Sequence, residues 1–395
     1  MESIKRTYKI ISIILLISII ASGFLLPLVL VNRNYIQNID IDLKFEGDNA
    51  FLYVQDQIEI NQSHFRIPGT QGREKCAQYF ITKFQEIDIN ITYILHNFTV
   101  HSIDCQNVLF KLNENYNNIV ILASHYDSRA KATKDPIIGN RTKPVPGAND
   151  GASGCGVLVE LARVLYEKIM NLSCQIWFLF LDGEDQGFDY DAGIEGWDWC
   201  EGSKAFVNSI NSFYNFSNEY FDCMILLDMV GGVNLQFINE QYSTSSLLGE
   251  LFEIGQQLGY TSQFPNDAYS ARITDDHVAF VNYGIPSADL IIKFWNNPEW
   301  PYHHTVQDDL SNISNMSLDI TGETVEQFLY NNYLILLSND YQGNYPWKED
   351  INLVDTDVII TIIIILALIG VSFLLIFSIK WISKKKRNVN TENTY

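Results

Sequence analysis

Two stretches of the chain carry no charge at all. Residues 10–31 (IISIILLISIIASGFLLPLVLV) and 358–379 (VIITIIIILALIGVSFLLIFSI) are uncharged throughout, and about 20 apolar residues suffice to cross the hydrocarbon core of a bilayer. Between them the pattern alternates. Short apolar runs at 107–112, 119–123 (IVILA), 175–181 (QIWFLFL), 224–227 and 288–292 predict buried strands. Helical spacing marks the intervals. Residues 73–86 put Cys76, Tyr79, Phe80 and Phe84 on one face after the turn signal PGTQG, and 151–169 do the same with Val157, Leu158, Leu161, Val164 and Leu165. Further helices are expected at 247–258 and 323–337. Apolar runs alternating with amphipathic helices imply an α/β fold, a mixed and largely parallel central sheet with helices on both faces. No internal repeat is evident.

Composition sharpens this picture. Of 395 residues, 47% are hydrophobic and only 18% charged, which excludes a largely disordered chain. The formal net charge is -21, with 26 Lys+Arg against 47 Asp+Glu, and no basic stripe interrupts the middle of the chain, which excludes nucleic acid as a partner. The basic residues gather at the ends. Lys5, Arg6 and Lys9 precede the first uncharged run, and Lys380, Lys384, Lys385, Lys386 and Arg387 follow the second. The positive-inside rule then predicts a two-pass membrane protein with both termini cytoplasmic. Residues 1–33 form a cytoplasmic terminus and signal anchor, 34–356 an extracytoplasmic domain, 357–379 a second span and 380–395 a basic tail. A cleaved leader ending near Ala21, Ser22 and Gly23 is the alternative for the first segment, although the apolar run continues past that point.

Residues 34–356 hold 17 Lys+Arg and 44 Asp+Glu, a balance of -27. Eight Asn-x-Ser/Thr sequons, at Asn61, Asn90, Asn97, Asn140, Asn171, Asn215, Asn312 and Asn315, fit a glycosylated outer surface, and an Asn-rich chain also generates such triplets by chance. Six cysteines show no CxxC or metal-like spacing. One or two disulfides are expected outside the cell, with the pairing left open.

Chemistry collects at the ends of the strands, where ligands bind in such sheets. IVILA runs into Ser124, His125, Tyr126 and Asp127, WFLFL into Asp182, Gly183, Glu184 and Asp185, and MILL into Asp228. Asp150 precedes the best helix, and His303-His304-Thr305 comes late. Any one such acid is ordinarily a helix cap or a solvated loop residue. Five groups of imidazole and carboxylate at strand ends instead suit zinc.

The fragments SHYDS, PGANDGASG, FLDGEDQG with GWDWCEGSKAF, LLDMVG, TDDHVAF with GIP, and HHTVQDD together resemble the M28 zinc metallopeptidase family, which also includes the animal-type glutaminyl cyclases. The resemblance runs from about residue 51 to about 337 and implies an α/β sandwich around a mixed sheet. Carried over, it implies a two-zinc site in which His125 and Asp228 bind one ion, Asp185 and His304 the other, and Asp150 bridges them. Glu184 matches the general base. Asp127 would orient His125, and Asp308 would orient His304 or belong to a surface turn. His303 stands where the family usually has Trp or Tyr. The family usually shows Glu-Glu where this chain has Glu184-Asp185, a ligand one methylene shorter. His277 lies near the family's substrate pocket, and Asp275 matches an acid of the cyclases where aminopeptidases more often have Ser. The insert 188–200, rich in aromatics and acids, is expected to shape side-chain preference. His64, His96 and His101 are expected to be surface or packing residues.

Three functions follow as expectations. The first is a membrane-tethered zinc exopeptidase, an aminopeptidase acting on peptides with free amino termini. The second is a glutaminyl cyclase using one zinc held by Asp150, Asp185 and His304, and the third a catalytically silent receptor domain.

Overall fold

The computed structural model describes residues 38–60, 62, 63, 65–188, 193–335 and Ser378. Apart from Ser378, both uncharged runs lie outside the described residues, as do Asn61, His64 and part of the 188–200 insert. Among the described residues no helix is long and apolar enough to cross a membrane.

In chain order the elements are α1 (Gly47–Glu59), α2 (Gln71–Ile87), β1 (Tyr93–Val100), β2 (Ile103–Leu112), β3 (Asn118–His125), α3 (Ala152–Lys168), β4 (Gln175–Leu181), α4 (Glu201–Ser209), β5 (Tyr220–Leu227), β6 (Asn239–Glu240), α5 (Ser245–Gln257), β7 (Ser270–Ala271), α6 (His277–Tyr283), β8 (Ser287–Leu290) and α7 (Asn315–Tyr333). Six strands form one sheet in the order β1-β2-β4-β3-β5-β8. The pairs β4–β3, β3–β5 and β5–β8 are parallel, while β1–β2 and β2–β4 are antiparallel. The sheet is therefore mixed and largely parallel, as the alternation of apolar runs predicts.

Successive strand residues face opposite sides, and both sides here are apolar. Val120, Leu122, Phe178, Phe180, Ile225 and Leu227 pack into the larger core with α1, α2, α3, α5 and α7. Ile119, Ile121, Trp177, Leu179, Met224 and Leu226 pack into a second core with Phe206 of α4 and Phe280 of α6. Each such side chain contributes about 1.5–3 kcal/mol on full burial. An aromatic cluster fixes α2 on the sheet, with Phe84 stacked on Phe110 at 3.8 Å and Phe80 on Phe180 at 4.1 Å.

The final helix begins at Asn315, earlier than its apolar spacing indicates, because the Ser314 side chain caps it by accepting from Ser317 N–H. It ends at Tyr333, where Leu334 pairs with Leu172. The expected disulfides are not formed: all six cysteines are buried and none is joined in a disulfide, each serving as a small apolar filler in the core. Of the sequon asparagines described, Asn90, Asn97, Asn171, Asn215 and Asn315 are exposed and Asn140 and Asn312 half-buried.

Candidate active site

The four parallel strands send their carboxyl ends to one edge, and the acidic and imidazole side chains meet there. His125 closes β3, Glu184 and Asp185 follow β4, Asp228 follows β5, and His304 lies in the loop beyond β8. Asp150 reaches the same edge from the loop that enters α3. That loop turns at Gly151, with φ +95, where a Cβ would lie 2.8 Å from Asp127 O and 2.9 Å from His125 Cε1. Glycine is required there because the loop passes directly over His125.

All five expected ligands converge. His125 Nε2 is 3.2 Å from Asp150 Oδ1 and 3.3 Å from Asp228 Oδ1. His304 Nε2 is 2.8 Å from Asp185 Oδ1 and 3.7 Å from Asp150 Oδ2. Asp150 thus turns one oxygen to each histidine, the disposition of a bridging carboxylate. Asp150 Oδ2 and Asp185 Oδ2 are buried without a hydrogen-bond partner. A buried carboxylate oxygen left unpaired is costly, and zinc takes this kind of N/O donor set, so the residues present fit the ion.

His303 also approaches, with Nε2 3.8 Å from Asp150 Oδ2. Lys134 Nζ lies 2.9 Å from His303 Nδ1. An ammonium only donates, so Nδ1 accepts and a neutral His303 carries its proton on Nε2. That nitrogen has no lone pair for a metal, and His304 is the ligand candidate of the two.

The supporting acids divide their work differently from expectation. Asp127 stands 3.5 Å from His125 Nδ1, but its closer bonds come from Glu184 N–H at 2.9 Å, Asp185 N–H at 3.2 Å and Gln186 Nε2 at 2.9 Å. It holds the Glu184–Gln186 turn as well as the imidazole. Burial opposes its ionisation, yet the nearby His125 ring and the bonds from Gln186 and Glu184 N–H keep its carboxyl below the usual range. Asp308 does not orient His304, whose Nδ1 has no partner. It accepts instead from Asn149 N–H at 2.8 Å and Asp150 N–H at 3.1 Å, and so braces the loop of the bridging acid.

Burial pushes the Glu184 carboxyl well above its ordinary pKa; neighbouring Asp275 adds to this, while His125 opposes it. Asp185 is pushed up to about 6 by burial, with Arg129 opposing, and Asp275 to about 7 by burial and then by Asp228. Asp275 lines a cavity of about 350 Å³ with Glu184, Asp185, Asp228, His303 and His304, walled by Trp199, Phe294 and Trp295. His277 does not line it. Its Nε2 bonds Glu240 at 3.0 Å and its Nδ1 lies 3.7 Å from Asp289, behind Asp275, in full burial.

Two further residues support the ligands. Arg129 donates from Nη1 to Asp185 O at 2.6 Å and lies over the Trp199 ring at 5.0 Å. Trp199 in turn lies parallel to His304, at 6.0 Å between rings. Arg129 follows Asp127 by two residues, a proximity that could have drawn notice.

A family model described as Peptidase family M28 matches residues 107–329. Glutaminyl-peptide cyclotransferase of Bos taurus is 24% identical over 297 residues, covering 67% of this chain and 77% of that protein. The crystal structure of a leucine aminopeptidase precursor from Bacteroides thetaiotaomicron superposes with a TM-score of 0.66 at 28% identity, over 74% of this chain and 100% of that one. A Zn-dependent exopeptidase from Parabacteroides distasonis does so with a TM-score of 0.65 at 28% identity, over 73% and 99%.

Proposed function

The chain belongs to peptidase family M28, and from that premise we propose that it acts on the free amino terminus of peptides as a zinc-dependent glutaminyl cyclase. The observation that carries this reading is the second acid, Asp275, set within 4.8 Å of Glu184 where both face the cavity. The bovine relative bears the same activity in its name. Ring closure of an amino-terminal glutamine joins the α-nitrogen to the side-chain carbonyl carbon, and the bond to the amide nitrogen breaks. The α-nitrogen loses a proton and the departing ammonia gains one. Glu184 takes the first and returns it to the second, a shuttle suited to a carboxyl whose pKa burial has raised. Asp275 receives the arriving α-ammonium, which sheds one proton to solvent to become the nucleophilic amine, and the shuttle through Glu184 then carries the second. Trp199, Phe294 and Trp295 limit water at the reacting carbonyl. Zinc held by Asp150, Asp185 and His304 supplies Lewis acidity when bound.

Peptide-bond hydrolysis is the second reading, favoured by a specific feature: His125, Asp150 and Asp228 form a second buried group able to hold an ion. Glu184 would then take its proton from water. Purified protein given a peptide with amino-terminal glutamine should release ammonia and a blocked peptide. Release of free amino acids from unblocked peptides, with two zinc ions per chain, would establish the peptidase instead.

The domain is set outside the membrane between two spans. The uncharged runs and their basic flanks support this, and no described sequon asparagine is buried. Full-length protein should stay with membranes through alkaline extraction and gain mobility on glycosidase treatment; a soluble, unmodified chain would overturn the arrangement.

A further inference from the structure

Cys155 Sγ donates to the His125 backbone oxygen at 3.1 Å, but among the described residues the thiol that meets a carboxylate of the proposed machinery is Cys200. It caps α4 in the left-handed region at φ +59 and is 2% exposed. Its Sγ donates to Glu184 Oε1 at 3.4 Å. An oxygen of Asp275 completes a buried trio whose ligand atoms all lie within 4.8 Å of one another. Asp275 Oδ1 accepts from Asp276 N–H at 2.6 Å, while Oδ2 has no hydrogen-bond partner and the residue is 3% exposed. A sulfur and two carboxylates, one with an orphaned oxygen, form a donor set distinct from the nitrogen and oxygen atoms around Asp150. Sulfur selects thiophilic ions.

We propose that Glu184, Cys200 and Asp275 form an additional, inhibitory site for a thiophilic divalent cation, such as cadmium or zinc in excess. It rests on the reading of Glu184 as the proton acceptor. Glu184 and Asp275 face the cavity, so an ion arriving by the substrate's route meets two carboxylates first and the thiol behind them. Coordination releases the Cys200 proton to solvent, as thiol ligation requires. The lone pairs of Glu184 are then occupied, and the carboxylate no longer accepts a proton from substrate. The same ion also removes Asp275 as the counter-charge for an α-ammonium. Cys200 thereby makes the site sensitive to soft metals.

The test uses full-length, zinc-loaded protein titrated with cadmium alone, following the ultraviolet thiolate-to-cadmium absorbance and turnover together. Wild type should develop the band to one equivalent as turnover disappears. In Cys200→Ser and Cys200→Ala the band should be absent and the inhibiting concentration higher by at least about 10-fold, relative to each variant's own starting activity. Asp275→Asn should weaken the band with the thiol intact, which keeps the test decisive if a cysteine variant misfolds. No band in wild type, a band that survives in the cysteine variants, or a full band with undiminished turnover would each overturn the proposal. The band reads the thiolate independently of catalysis. A protein that neither cyclises nor hydrolyses, yet shows a Cys200-dependent band, would therefore refute the functional reading and leave the cation site standing.

Discussion

Glu184 and Glu250 are both buried acids, with opposite meanings. Glu184 faces the cavity and its turn is held by Asp127, so removing its charge should leave the fold and the ligand residues in place. Glu184→Gln is expected to keep its zinc by metal analysis while turnover falls at least about 100-fold; unchanged turnover would remove Glu184 from the mechanism. Glu250 on α5 is remote from that chemistry. Its Oε1 accepts from Asn332 Nδ2 at 2.8 Å, while Oε2 is buried without a partner. Burial raises its pKa to about 8, Asn332 opposing. The folded state therefore holds this proton more tightly than the unfolded chain does. The stability tied to it is complete below the ordinary glutamate range and is lost as pH rises through about 8. Glu250→Gln cannot ionise, so thermal melts should show it more stable than wild type at pH ~8, by a few kcal/mol, with the advantage vanishing near pH ~4.

At the scale of elements, the site depends on how closely α3 lies against the strand ends. Gly154 in its first turn leaves no room: a Cβ would come within 2.1 Å of Leu227 O and 2.4 Å of Ser124 Oγ. Gly154→Ala must push α3 away from β3 and β5, and Asp150 moves with it. The expected cost is about 1–3 kcal/mol of stability by denaturant titration, with weakened zinc retention; a variant of wild-type stability and metal content would show that the contact can relax. The same elements explain what sequence could reveal. β3, β4 and β5 are apolar on both faces, so their runs stand out, and the residues that close them announced the site. β1 gives no apolar contrast, because at the sheet edge the residues of YILHNFTV alternate between exposed and half-buried up to the buried Val100. Helix α1 is held by tertiary partners, its Gly47 N–H donating to Asp319 Oδ1 at 2.7 Å. Lys134 fixes the His303 tautomer from 169 residues away, and Asp308 braces a loop 158 residues upstream. No local pattern encodes such meetings. The family resemblance sets His277 near a substrate pocket, but the first turn of α6 sends it to Glu240.

Across the whole molecule, the -27 balance of residues 34–356 surrounds a cavity floored by Glu184, Asp185, Asp228 and Asp275. Such a field draws in cationic amino termini. Raising the salt to about 0.5 M should lower kcat/KM for unblocked peptides while kcat stays constant, since screening acts on encounter; an unchanged kcat/KM would mean that capture is not electrostatic. The sheet order has a consequence in time as well as space. The ligand candidates span His125 to His304, and the last of them follows β8, which joins the sheet beside β5 at its far edge. A growing chain can bury β3 and β4 long before that edge exists. A pocket that takes donors from both Asp185 and His304 therefore closes only after nearly the whole domain has been synthesised, and an ion held there would be acquired late.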